Sequence, residues 1–332
     1  MPLGVQAQGA LLRRVVAHFP RELSLAFAYG SGLHGAEGRR NMLDFVFAVD
    51  NPLAWHTMNM MKNRKHYSFL RFLGPKYVSR IQDNYGAGVY YNALIPCDER
   101  LIKYGVISTD TLIDDLLHWK TLYVAGRLHK PVKIVIQSEN SKLQAALSRN
   151  LRSALVTAFL TLPESFSEEE LFLRVTGLSY SGDFRMLIGE DRAKVPNIVR
   201  VNMENFQRLY SPLLQECPHA LHRQQQGIVE LDKSAEGQFR QLMSLPRTLQ
   251  QQITRLVDRP GKNRDVEEIL LQVAQDPECG AFVQLGVAAI VKTSSLMQSA
   301  KGILTAGARK TVVYSTRKLW KMWRSWPRHL LS

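Results

Sequence analysis

The residues best suited to chemistry are Gly30, Ser31 and Gly32, followed after a short polar loop by Asp44. Glycines let backbone N–H groups approach phosphate oxygens closely, and Ser31 adds a hydroxyl donor. A carboxylate beside such a turn is a ligand for Mg2+, which bridges nucleotide phosphates and neutralises charge as an α-phosphate is attacked. The pattern points to metal-assisted nucleotidyl transfer with Asp44 and Ser31 as catalytic candidates. It equally fits an ordinary β-turn with Asp44 as a solvated strand-end residue. Lys103, Lys130 and Lys133, with Arg127 between them in the chain, are the cations available to surround a triphosphate. Asp183 and Arg185 lie in a Gly-containing loop, Ser179 to Arg185, and read either as a plain ion pair or as groups of a loop that closes the active site. No Ser-His-Asp or Cys-His arrangement is visible.

These residues need a scaffold, and the hydrophobic pattern supplies one. Ala26 to Tyr29 is a short apolar run, and Phe45, Val46, Phe47 and Val49 form a second, so Asp44 stands at the mouth of a strand. Asn51-Pro52 marks a turn before a helix over Trp55 to Arg64. His56 and His66, among lysines and arginines, are either nucleotide contacts or packing residues. Gly86-Ala87-Gly88 precedes a strand-like run and suggests a turn or a second phosphate loop. Leu101 to Ser108 reads as a strand carrying Lys103, with Thr109 or Asp110 capping the following helix. Lys130 to Ile136 reads as a further strand. Strands alternating with helices around Asp44 predict a small mixed sheet with helices against it.

From Ser141 the period becomes helical, with a broad stripe from Leu143 to Leu162 ended by Pro163. Ser167 with Glu170 forms a capping box for a helix through Leu171, Phe172 and Val175. The polar stretch from Tyr210 to Glu236 predicts a loop or irregular region, and helices recur at Phe239 to Leu245, Leu249 to Val257 and Val266 to Ala274. Arg259 to Lys262 reads as a linker. The domain limits that follow are 1–140, 141–258 and 259–332.

The 332 residues carry a net charge of +14, unevenly spread. After Glu278 there is no acidic residue but nine lysines and arginines, so most of the excess belongs to the C-terminal tail. Leu319, Met322, Trp323 and Trp326 share one helical face there, and Arg317, Lys321, Arg324 and Arg328 another. A basic amphipathic helix with tryptophans suits an anionic membrane surface. Arg317, Lys321, Trp323, Arg324 and Trp326 are therefore the membrane-binding candidates. No stretch reaches the roughly 18–20 apolar residues that cross a bilayer; the longest, Ala281 to Val291, contains Gln284. A soluble or peripheral protein is expected. Residues 1–20 are basic, acid-free and amphipathic, which fits either a mitochondrial presequence or the first helix of the fold. Cys97, Cys217 and Cys279 are too far apart for a zinc cluster.

Several stretches together resemble one family: Leu25 to Gly32, Met42 to Phe47, Trp55-His56 with Asn59, His66-Tyr67-Ser68, Lys103 to Ser108, and Ser179 to Arg185. They are similar to the mitochondrial phosphatidate cytidylyltransferases, also called the translocator assembly and maintenance family. The resemblance runs over nearly the whole chain. It implies an α+β fold: a polymerase-beta-like nucleotidyltransferase domain, a mostly helical, winged-helix-like module and the amphipathic tail. It also implies CTP and phosphatidic acid as substrates, CDP-diacylglycerol feeding cardiolipin and phosphatidylglycerol synthesis, and a peripheral place on the matrix side of the inner membrane.

One departure matters. The wider superfamily carries a second carboxylate two residues after the first, and here that position is Val46. Asp183 is the candidate to complete the metal site, with Asp50 behind it, although a regular strand would hold Asp50 about 20 Å from Asp44. The implied reaction needs no strong general base, because a phosphate monoester with a second pKa of about 6 is largely deprotonated near neutral pH. Cationic charge and positioning suffice. Two other classes share these elements. One is an RNA-directed nucleotidyltransferase using the basic tail for phosphates. The other is a non-enzymatic inner-membrane assembly factor, which Val46 favours. With the charge localised to an amphipathic tail, no nucleic-acid partner is expected. The oligomeric state is left open.

Overall fold

The computed structural model describes residues 3–33, 41–186, 193–217, 220–258 and 264–306. Its helices are α1 (Leu3–Ala17), α2 (Pro52–Asn63), α3 (Pro75–Asn84), α4 (Thr109–His118), α5 (Ser141–Thr161), α6 (Glu168–Leu178), α7 (Lys194–Gln215), α8 (Ala235–Ser244), α9 (Arg247–Val257), α10 (Val266–Gln275) and α11 (Cys279–Ala306). Its strands are β1 (Leu25–Tyr29), β2 (Leu43–Val49), β3 (Val89–Cys97), β4 (Arg100–Ser108), β5 (Lys133–Gln137), β6 (Ser165–Ser167), β7 (Ala220–Arg223) and β8 (Ile228–Leu231). The fold is α+β. Two units divide the chain, one made of residues 1–113, 132–144 and 296–332, the other of 114–131 and 145–295.

The first unit is built on a five-stranded mixed sheet in the order β3-β4-β2-β1-β5. Only β2 and β4 run parallel; the other neighbours are antiparallel. Side chains of a strand alternate between faces, so Phe45, Phe47 and Val49 of β2 share one face with Tyr104 and Val106 of β4. That face packs on Leu12, Val15, Val16 and Phe19 from α1 and its exit, and on Trp55 of α2. Truncating such a fully buried ring, as in Phe47→Ala, costs about 3–5 kcal/mol. Asn51 caps α2 by accepting from the Ala54 N–H, and Ser108 caps α4 by accepting from the Thr111 N–H at 3.0 Å. The cap is thus one residue earlier than expected, because Thr109 is buried and its hydroxyl bonds Asp50 instead.

In the second unit, α5 and the Ser167–Glu170 capping box of α6 follow the sequence pattern. The stretch after Tyr210 does not. Helix α7 continues to Gln215, and β7 and β8 form a hairpin that joins β6 in a three-stranded sheet, order β6-β8-β7. The hairpin has short strands around a polar turn, so period-two alternation extends over too few residues to be read from sequence. Buried Glu168 of α6 accepts a hydrogen bond from Gln207 of α7 and pairs with His222 of β7 at 2.8 Å, tying the hairpin to both helices.

Helix α11 also differs from expectation. Its residues Cys279–Ile303 are long and apolar enough by length and composition to cross a membrane. Gln284 interrupts the run without ending the helix. In the fold one side of α11 is core: Val283, Val287, Ile290 and Val291 are buried. Near its end, Gln298 accepts from the Ala87 N–H and donates to the Val89 carbonyl. Lys301 caps the end of α3, donating to the carbonyls of Gln82 and Tyr85 at 2.9 and 2.8 Å.

Candidate active site

Antiparallel pairing sets Asp44 opposite Tyr29, and parallel pairing sets it beside Lys103. Both registers put these three side chains on the face of the sheet away from α1. The Lys103 ammonium lies 3.9 Å from Asp44 Oδ1, beyond hydrogen-bond length, with about a fifth to a quarter of each side chain exposed. The same ammonium stands 4.5 Å over the ring of Tyr91, whose hydroxyl is 3.5 Å from that of Tyr29. Gly105 makes this possible: a Cβ there would come within 2.5 Å of the Tyr91 ring. Cationic lysine over an aromatic face adds on the order of 0.5–1 kcal/mol and fixes where its charge points.

After Tyr29 the chain turns through Gly30 at φ +86°, a conformation costly for any residue with a side chain. A Cβ at Gly30 would also stand 3.3 Å from Asp44 Oδ2, so glycine keeps the carboxylate approachable. Ser31 opens a 3-10 turn and is exposed, whereas Gly32 and Leu33 are buried. Gly30, Ser31 and Asp44 are thus brought together as predicted, with Lys103 added by β4. Lys133 is not: it pairs with Ala28, one residue out of phase with Tyr29, and lies on the opposite face near Leu12 and Arg13 of α1. Asp50 accepts from Ser24 and Thr109, which lowers its pKa, and so serves as a structural acceptor. Val46 is fully buried opposite Phe27 and Gly105, so no carboxylate follows Asp44 on this face of β2.

Lys130, Asp183 and Arg185 belong to the second unit. Lys130 precedes β5 instead of lying on it, since Pro131 has no N–H to give to a ladder and the strand begins at Lys133. Its ammonium donates to the Gly126 carbonyl and to Ser179 Oγ at 2.6 Å, and stands 5.1 Å from the Tyr180 ring centroid. Lys194 approaches the same ring at 5.0 Å, and Arg127 covers Tyr123 at 4.0 Å. Enclosure of the ammonium, then the charges of Arg127 and Lys194, hold the Lys130 pKa well below the ordinary lysine value. Asp183 is buried, and its two oxygens accept from the Arg185 side chain at 2.6 to 3.1 Å and from the Arg185 N–H at 3.0 Å. This is a bidentate pair. Sequence reading missed the aromatic rings beneath the cations; the only sequence sign was Tyr180 inside its Gly-containing loop.

His56 is fully buried and packs instead of facing a ligand. Gln82 gives its amide N–H to Asp83, so Gln82 Oε1 accepts from His56 Nε2 at 2.9 Å. Burial, partly offset by that bond, lowers the His56 pKa to about 4. Its Nδ1 therefore accepts from Tyr67, 2.8 Å away. Asn59 bonds Tyr67 and Tyr104, and Asn92 and His66 reach the Tyr104 hydroxyl, which locks the inner face of β4 beneath Lys103. Gly86-Ala87-Gly88 is a turn whose Ala87 N–H is already taken by Gln298, which packs against Gly86. An open cleft lined by Leu117, His118, Arg149, Leu245 and Arg247 contains none of the predicted site residues. The tail residues Arg317, Lys321, Trp323, Arg324 and Trp326 lie outside the described residues.

The family model described as mitochondrial phosphatidate cytidylyltransferase matches residues 12–321. The chain belongs to this family. Its relatives include the mitochondrial phosphatidate cytidylyltransferases of Danio rerio, 67% identical over 98% of both chains, and Xenopus laevis, 62% identical over 97% of both. That of Bos taurus is 61% identical over 98% of both. The matched span includes Gly30, Asp44, Lys103, Lys130 and Asp183, so both charged clusters fall within what the family shares in length.

Proposed function

We propose that the chain acts as a phosphatidate cytidylyltransferase, transferring CMP from CTP to phosphatidic acid with release of pyrophosphate and formation of CDP-diacylglycerol. The carrying observation is the Asp44 carboxylate at the sheet mouth, with Gly30 kept bare beside it and the Lys103 charge close but not hydrogen-bonded. Of the alternatives, RNA extension draws no support from a specific feature of this site, and the assembly role draws only on the missing carboxylate at Val46.

Asp44 is the metal-directed carboxylate. It is a hard oxygen donor, partly exposed and unobstructed by Gly30, which fits Mg2+ completing its shell with phosphate oxygens and water. Bound there, the ion supplies charge neutralisation at the phosphates. Gly30, Ser31 and Gly32 offer N–H and hydroxyl donors to a phosphate, and Lys103 adds a cation oriented by Tyr91. In the second unit Lys130 and Arg185, with Arg127 and Lys194, form the cationic group that suits a second phosphate. Asp183 acts by holding Arg185, since its oxygens are already bonded to that guanidinium. The sheet and Gly-Ser turn support a polymerase-beta-like domain within 1–140. The capped α6 and the β7–β8 hairpin support a winged-helix-like module within 141–258. The basic tail within 259–332 supports a peripheral inner-membrane location on the matrix side, and the product would feed cardiolipin synthesis.

Purified protein given labelled CTP, Mg2+ and either phosphatidate vesicles or RNA tests this reading. Labelled CDP-diacylglycerol is expected. Extended RNA alone would replace the reading with the RNA-directed one, and no product from either would favour the assembly role.

A further inference from the structure

Residues 51–82 contain six lysines and arginines and no acidic residue. Within them the chain leaves α2, makes a 3-10 turn over Phe69–Phe72, passes Gly74 and enters α3. The turn is pinned from below: Leu70 is buried with Met60, Tyr67, Val78 and Tyr90 in a core cluster of the first unit. Its other side is bare. Phe69, Phe72, Leu73 and Tyr77 are 51%, 71%, 50% and 50% exposed, four large apolar side chains in nine consecutive residues. The Arg71 guanidinium stands 4.9 Å from the Phe72 ring centroid. Arg64, Lys65, Lys76 and Arg80 are exposed, and no salt bridge among the described residues joins any of these five cations to an acid.

Clustered exposed apolar side chains mark an interaction surface. Here five exposed or half-buried cations surround the patch against one nearby acid, Asp83 near the end of α3, a balance that disfavours a basic partner and matches the anionic interface of a bilayer, where aromatic rings insert at headgroup depth and cations meet lipid phosphates. We infer that the Phe69–Tyr77 turn is a membrane-docking surface of the folded first unit, specific for anionic lipid and separate from the C-terminal tail. The inference deepens the proposed reaction, on which it rests: the rigid turn gives the unit carrying Asp44 its own hold on the surface that contains a lipid phosphate substrate. Because Leu70 and Tyr67 fix the backbone, docking requires no folding of the segment.

The test uses the full chain and vesicles of phosphatidylcholine with or without phosphatidate. Phe69→Ser/Phe72→Ser and Arg71→Glu/Lys76→Glu alter exposed side chains, and circular dichroism melts check that both variants fold as the parent does. The aromatic pair is expected to weaken co-sedimentation with phosphatidate vesicles about tenfold at both low and high salt. The charge pair is expected to weaken it about tenfold or more at low salt, the difference shrinking as salt rises. Both variants should turn over a water-soluble short-chain phosphatidate at the parent rate. The inference is overturned by parent-like vesicle binding of both variants, or by a parent chain that does not bind these vesicles. Equal activity loss on soluble substrate would also overturn it, as would loss of self-association in the aromatic variant with vesicle binding intact. A parent chain that binds vesicles but converts neither substrate would sink the activity reading alone.

Discussion

Each unit contains an aspartate beside a cation and a glycine turn, yet the two groupings are opposites. At Asp44 the cation is 3.9 Å away, the carboxylate is partly exposed and a bare glycine leaves space in front of it. At Asp183 the guanidinium forks onto both oxygens and the side chain is almost wholly enclosed. The neighbouring cations differ too. Lys103 rests on one ring at the edge of solvent, whereas Lys130 is enclosed with Arg127 and Lys194 nearby, and this burial and like charge push its pKa well down. The carboxylate proposed to meet a metal ion keeps its lysine at a distance, and the one that orients an arginine accepts from it with both oxygens. Residue type cannot separate these roles; the geometry of the partners does.

Asp44→Asn probes the open grouping and should have the largest effect. Turnover of CTP is expected to fall at least about a thousandfold, the several kcal/mol that metal-stabilised charge contributes. The melting temperature should stay within a few degrees of the parent, and activity within about twofold of parent would remove Asp44 from the metal site.

Lys130→Met tests whether the second cluster is functional. The kcat/KM for CTP and phosphatidate should fall about ten- to a hundredfold if Lys130 meets a phosphate. A structural readout accompanies it. Native Lys130 releases its proton below the ordinary value of 10.5, so across that interval the unfolded chain binds more protons and stability rises with pH. The methionine variant lacks this rise, which calorimetric melts at neutral pH and near pH 10 would register as a flatter profile.

Asp183→Asn should invert the Asp44 result. Leaving the Arg185 charge partly buried without its carboxylate costs about 1–3 kcal/mol, a loss of roughly 3–8 °C in melting temperature. Activity at low temperature should drop less than about tenfold, with unchanged Mg2+ dependence. A collapse of activity with an altered Mg2+ optimum would instead make Asp183 a metal ligand and dissolve the contrast between the two aspartates.

The smallest effect is expected from Ser31→Ala. One hydroxyl donor is lost where backbone N–H groups remain, so CTP affinity should weaken only about two- to fivefold, roughly the net worth of one hydrogen bond. Unchanged affinity would reduce Gly30-Ser31-Gly32 to a turn.

What the sequence determined by itself was local. The apolar runs of β1 and β2, the turn at Gly30, the helical stripe of α5 and the Ser167–Glu170 box each depend on contiguous residues whose periodicity and caps are legible in one dimension. The Asp44 position at a strand mouth followed from the same pattern, and family resemblance supplied the chemistry. Only the tertiary structure decided the rest. Lys103 meets Asp44 because β2 and β4 pair in parallel register, while Lys133 is turned away because its strand pairs one residue out of phase, and register is a property of two segments, not one. His56 became a core residue through contacts with Tyr67 and Gln82 contributed from elsewhere in the chain. The β7–β8 hairpin needed β6 to become a sheet, since so short a hairpin is marginal alone. Burial is likewise nonlocal: one apolar side of α11, with Val283, Val287 and Ile290, turned inward, while Phe69, Phe72, Leu73 and Tyr77 turned outward, a difference set by which neighbours cover each.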